Sequence, residues 1–339
     1  MKQWKCSRDQ ITRQPKMYNV LITSAGRRVS LVKAFQNEIK AFSKEAKVIT
    51  VDMNPAFSAA CEVADSCIKV KPLNDPNYLP DLLNIALENS IKIIIPTLDT
   101  ELILLSQNKE IFEKNGIDVV VSTPGFIEKC RDKRLTNLFF KERGIDIPME
   151  VDRHNPSFPL FIKPYDGSLS ADIFLIKNEK ELTSYHLDNP KFMFMEYLNK
   201  SEYDEFTIDM YYGKDNYVKC IVPRKRIEIR GGEISKGITI KNELVEFLKS
   251  KMNHIEGAVG CLTVQVFRNK ISKRVIGIEI NPRFGGGYPL SYHANANYPK
   301  FIFQEYFSNE RIEYSDSWEE GLLMLRYDAE ILVHGVSTK

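Results

Sequence analysis

Among its 339 residues the sequence has no apolar run long enough to cross a bilayer, so nothing in it suggests a membrane-spanning segment. It also lacks an excess of positive charge. Lys and Arg number 47 against 45 Asp and Glu, without the basic stripe of a nucleic-acid-binding protein. The six cysteines (Cys6, Cys61, Cys67, Cys130, Cys220, Cys261) form no CxxC pair and no metal-ligand spacing. Reduced thiols in a cytoplasmic protein are therefore expected. The five histidines are scattered, with neither zinc spacing nor a Ser-His-Asp arrangement, and His293 reads as structural. The opening "MKQWKCSRDQITRQPK" has no apolar h-region of a secretory signal, and residues 1–16 are expected to be a disordered extension.

What is present is an alternation of apolar strands and helices. "YNVLITSAG", "AKVITVDMN", "IKIIIPTLD" and "IDVVVST" are continuous Val/Ile runs separated by helical spacing, the pattern of a parallel sheet covered on both faces. Residues 17–121 are expected to form one open α/β domain, with ligands at the strand ends. The turn "TSAGRR" lacks GxGxxG spacing, which argues against a dinucleotide site and leaves Asp52 structural. From residue 122 onward the pattern changes. A helix is expected from about Ile127, carrying Lys133 and Arg134 and ending at Gly144. "EFTIDMYYG" with "YVKCIVPRKRIEI", and "LTVQVFRN" with "RVIGIEINP", read as antiparallel pairs, so an α+β body follows the α/β unit.

The stretch "VIGIEINPRFGGGY" places Glu279, Asn281 and Arg283 at alternate positions on a strand, and hence on one face. Such a face belongs to plain water, as on an exposed edge strand, or to something charged. Three glycines follow, which permit close backbone approach and unusual φ angles.

The order "DK…GI-IP", "IKP-DGS", "MEY", "EFTIDM", "VQV", "IEINPR" resembles the ATP-grasp superfamily, and in flavour its carbamoyl-phosphate-synthetase-like branch, from about Tyr18 to Phe303. The resemblance implies a pre-ATP-grasp domain (17–121) and a two-lobed ATP-grasp domain (122–339) with a lid at about 150–198. It implies a carboxylate–amine or carboxylate–thiol ligase that uses ATP and Mg2+ (or Mn2+) and acts through an acyl phosphate. The alternatives are a carbamoyl-phosphate-synthase-like acyl-phosphate producer and an ATP-binding module without turnover. Small-molecule substrates and a homodimer are expected, with no nucleic acid and no membrane partner.

The residues then take roles. Magnesium prefers hard oxygen donors. If the strands on either side of "RNKISKR" pair, Gln265 comes opposite or nearly opposite Glu279, and with Asn281 supplies one carboxylate and two amide oxygens. The superfamily usually has an acid where Gln265 stands. Arg283 is read as a clamp on the γ-phosphate or the acyl phosphate, and Lys163 and Asn281 share in the transfer. By resemblance Lys133 and Lys163 hold phosphates, Glu196 with the backbone of Tyr197 and Leu198 holds adenine, and Glu205 holds ribose. The lid loop "YDGSLSADIF" has only Gly167 where glycines are usual, with Ser168 and Ser170 as substitute donors. Candidate substrate contacts are Arg226, Lys236, Asp99, Glu101 and the glycine nest around Gly286.

Overall fold

A computed structural model describes residues 18–167 and 172–335. Residues 1–16, Cys6, Ser168 and Ser170 lie outside the described residues. Five parallel strands open the chain: β1 (Asn19–Thr23), β2 (Val48–Asp52), β3 (Ser66–Lys69), β4 (Ile91–Ile95) and β5 (Asp118–Val119), in the order β3-β2-β1-β4-β5. β1 is buried throughout, as its unbroken NVLIT run requires when helices cover both faces.

The helical segment after this sheet is two helices rather than one. Pro124–Arg131 ends at Asp132, whose carboxylate accepts from Arg134 N at 2.9 Å and caps a second helix, Lys133–Glu142. The break places Lys133 in a first turn. A small antiparallel sheet follows, made of β6 (Leu160–Pro164), β7 (Phe174–Ile176) and β8 (Phe192–Glu196) in the order β7-β6-β8. Among the described residues, Leu160, Ile162, Ile176, Phe192 and Phe194 form its buried core.

The largest sheet contains β9 (Tyr203–Tyr212), β10 (Val218–Arg230), β11 (Glu233–Thr239), β12 (Gly260–Asn269), β13 (Val275–Asn281) and β14 (Leu323–Leu325). Its order is β13-β12-β9-β10-β11-β14, antiparallel throughout. A parallel α/β unit thus precedes a lid sheet and a six-stranded antiparallel sheet, the architecture of a pre-ATP-grasp domain followed by a two-lobed ATP-grasp fold. The first and last units share one apolar core. The helix Val29–Phe42 packs on Tyr298–Phe307, with Phe35 and Phe42 edge-on to Phe303 at 5.7 and 5.4 Å.

One expectation is corrected here. Cys61 and Cys67 are joined in a disulfide, because the chain turns back between the helix Ala59–Val63 and β3 and brings their Cα atoms to 5.1 Å. Cys130, Cys220 and Cys261 are buried free thiols. No described helix is long and apolar enough to cross a membrane.

Candidate functional site

A cavity of about 730 Å3 lies between the lid sheet, the six-stranded sheet and the carboxyl ends of the first sheet. Gln265, Glu279, Asn281 and Arg283 all line it. Gln265 is directly opposite Glu279 in the β12–β13 ladder, and Asn281 is opposite Thr263. Each amide is oriented by a carboxylate. Gln265 Nε2 donates a short bond to Glu205 Oε1, and Asn281 Nδ2 donates to Glu279 Oε1 at 3.1 Å. A carboxylate at neutral pH only accepts, so these bonds fix which amide atom is nitrogen and leave both amide oxygens without a protein partner among the described residues. One carboxylate and two amide oxygens fit a hard cation that takes its remaining ligands from phosphate. No group of three His, Cys, Asp or Glu side chains placed to hold a metal ion occurs among the described residues. Two amides with one carboxylate, without Cys or His, are not the N/S donors zinc prefers.

Opposite this wall are two cations. Lys163, next to last in β6, lines the cavity and is 7% exposed. Burial pulls its pKa down to about 8, with Glu279 opposing the shift and Lys133 adding to it. Lys133 is lowered in the same direction, by burial first, and donates to the Gly167 carbonyl at 2.5 Å. Neither has a carboxylate within ion-pair distance among the described residues.

At the lid end, Glu196 accepts from Met149 N at 2.8 Å, and Tyr197 and Leu198 line the cavity beyond it. Glu205 also lines the cavity and holds Arg226 at 3.1 Å, so Arg226 stands beside the expected ribose acid. At the opposite end Arg283 is gripped by Asp99, with Nε and Nη2 bonded to the two carboxylate oxygens at 2.9 and 2.6 Å.

Three expectations are corrected. Lys236 is outside the cavity, because β11 alternation turns it to the outer face, where it pairs with Glu228 at 2.7 Å. Glu101 faces inward from the helix Asp99–Gln107. It is wholly buried, takes Tyr78 Oη in a short bond and Ser24 Oγ at 3.1 Å, and burial raises its pKa. The glycines Gly285 to Gly287 have no positive φ. Gly287 is required for space, since a Cβ there would lie 2.2 Å from Arg224 Nη1.

Sequence reasoning missed two features. Arg224 is fully buried and pairs with Asp209 through Nε and Nη2 at 2.8 and 2.9 Å, and Ser291 Oγ donates to the same carboxylate at 2.6 Å. The available signal was alternation: Glu205, Thr207 and Asp209 share one face, as do Arg224 and Arg226. The second is Arg28 of the "TSAGRR" turn, which lines the cavity from the first sheet.

Comparison with known proteins adds to this geometry. Residues 20–120 match the family model described as PylC-like, N-terminal domain, and residues 188–327 match ATP-grasp in the biosynthetic pathway with Ter operon. No curated protein matches the sequence. The structure is similar to the biotin carboxylase domain dimer of Hydrogenobacter thermophilus 2-oxoglutarate carboxylase, solved with MgADP, ADP and bicarbonate. The TM-score is 0.68 at 16% identity, over 91% of this chain and 74% of that one. It is also similar to N5-carboxyaminoimidazole synthetase from Staphylococcus aureus (TM-score 0.64, 17% identity, 88% and 79% covered). A third likeness is to L-amino acid ligase from Bacillus licheniformis (TM-score 0.61, 15% identity, 86% and 75% covered). At such identities the likeness is one of fold.

Proposed function

We propose that this chain, with its ATP-grasp fold, is an ATP-dependent ligase. It activates a carboxylate as an acyl phosphate, passes the acyl group to an amine or thiol, and releases ADP and phosphate. The observation that carries this reading is that one cavity has Gln265, Glu279 and Asn281 on one wall against Lys133 and Lys163 on the other.

In this reading Glu196, Tyr197 and Leu198 receive the adenine, and Glu205 the ribose. Lys133 and Lys163 neutralise the phosphates, whose charge offsets the burial that lowers both lysine pKa values. Gln265, Glu279 and Asn281 would hold Mg2+ (or Mn2+), which when bound supplies Lewis-acid stabilisation of phosphate charge. Asn281 is kept in position by its bond to Glu279. Arg283, fixed by Asp99, donates to the phosphoryl group as charge grows on it. Catalysis of this type is positioning plus electrostatics and requires no protein nucleophile. The same reading assigns residues 17–121 and 122–339 to two domains, with the lid at about 150–198, and includes a cytoplasmic setting and a homodimer.

The test is an ADP-release screen against mixed carboxylates with and without amines or thiols. Acid-dependent release that also requires the acceptor is expected. Acid-dependent release without one indicates an acyl-phosphate producer, and tight ATP binding without release indicates a binding module.

A further inference from the structure

Arg28 belongs to the "TSAGRR" turn, which the nucleotide reading leaves unused. Its guanidinium crosses from the first sheet to the loop after β13, donating through Nη1 to the Phe284 carbonyl and through Nη2 to the Thr97 carbonyl, both at 2.9 Å. Arg283 Nη1 donates to the same Phe284 oxygen at 3.2 Å. The two Nη1 atoms are therefore at most about 6 Å apart, a spacing at which like charges repel.

The other charges at this end of the cavity have partners. Arg283 has Asp99, Arg224 has Asp209, and Glu233 has Arg326 at 2.7 Å with Arg27 at 3.6 Å. Arg28 has two carbonyl dipoles and no carboxylate within ion-pair distance among the described residues. Two of the five N–H groups of a guanidinium are thus used and three are left. Burial, followed by Arg283, pulls its pKa down to about 10, while Asp99 and Glu233 act the other way, so the group is charged at neutral pH. A half-buried cation beside a second cation is costly unless an anion joins them.

We infer that Arg28 and Arg283 together form a dianion subsite, and that the acid substrate is a short-chain dicarboxylate with one carboxylate reacting at Arg283 and the other held by Arg28. This inference rests on the ligase reading of the same cavity. A longer acid with a single carboxylate would leave Arg28 uncompensated. The short distance between the two guanidinium groups selects molecules whose carboxylates are only a few bonds apart.

The rival role for Arg28 is that of a clamp which only ties Thr97 to Phe284, and discrimination between acids separates the two. Full-length protein saturated with magnesium and a non-hydrolysable ATP analogue is titrated calorimetrically with propionate against succinate and butyrate against glutarate. The dicarboxylate of each pair is expected to bind about tenfold or more tightly. Arg28→Met should erase that ratio and Arg28→Lys should retain part of it. A clamp alone would weaken mono- and dicarboxylates equally. Wild-type protein without the preference, or Arg28→Met that keeps it, overturns the subsite. The ATP analogue is titrated separately. Nucleotide binding without dicarboxylate preference defeats only the subsite, and no nucleotide binding defeats the ligase reading as well.

Discussion

The two walls of the cavity differ in how their charges are balanced in the protein alone. On and beside the six-stranded sheet the charged side chains are paired, Arg226 with Glu205 and Arg283 with Asp99. The amide nitrogens of Gln265 and Asn281 are held by Glu205 and Glu279, while the two amide oxygens, Arg224 Nη1 and Arg226 Nε have no partner among the described residues. Across from it, Lys163 and Lys133 have no carboxylate within ion-pair distance among the described residues, and burial lowers both pKa values. A paired wall holds its geometry without a ligand. An unpaired, desolvated wall carries a cost that an incoming polyanion relieves. In the proposed reading the sheet therefore positions and the lysines bind.

The largest expected effect comes from removing the carboxylate that acts on both lysines and on Asn281. Glu279 orients Asn281, opposes the pKa shift of Lys163, and leads Asp166 and Asp99 in opposing that of Lys133. Glu279→Ala should lower ADP formation by on the order of a thousandfold or more, with an unchanged circular dichroism spectrum. Ordinary turnover by the variant would remove Glu279 from the site and end the distinction between the walls.

A second, smaller effect tests the unpaired wall. Lys163→Met should weaken nucleotide binding by about tenfold to a hundredfold, the loss of a charged hydrogen bond, while raising the ligand-free melting temperature. The pH dependence has a definite sign. With a folded pKa near 8, Lys163 loses its proton in the folded protein before it does so in the unfolded chain. Its contribution therefore destabilises below about pH 8 and is progressively removed as pH rises above it. Wild-type nucleotide affinity should fall over that interval and that of Lys163→Met should not. Thermal melts and titrations at about pH 7 and about pH 9 measure both. A flat wild-type profile would mean that Lys163 already has an anionic partner.

Much of the paired wall was legible in the sequence because strand periodicity is local. The two-residue spacing of Glu279, Asn281 and Arg283 specified a common face, and the polar link "RNKISKR" specified the strand pairing that brings Gln265 opposite Glu279. Orientation on helices and loops depends on distant packing, and there the reading failed. Asp99 and Glu101 both looked available at a helix start, yet one meets Arg283 and the other is sealed beside Tyr78. Lys236 lies on a strand, β11, yet its face is set by the partner that β10 pairing gives it, which alternation within "GEISKG" does not specify. Arg28 is 256 residues from the Phe284 carbonyl it bonds and 69 from that of Thr97, contacts that no local pattern encodes.

The smallest expected effect tests whether the pairing on the sheet wall supports the reaction or restrains it. Asp99→Asn keeps the shape of the side chain but removes its charge, so Arg283 exchanges a two-pronged charged grip for one neutral hydrogen bond. Arg283 also keeps its bond to the Phe284 carbonyl at 3.2 Å, which limits its freedom. If Asp99 holds the guanidinium where phosphoryl charge develops, loss of the grip should lower kcat by about tenfold. Affinity for the acid should stay level or improve, because one negative charge has left the cavity. If the pair is instead a restraint that substrate must break, kcat should rise. Steady-state ADP release read as kcat and KM separately distinguishes the two, since a general loss of stability would lower the active fraction without changing KM.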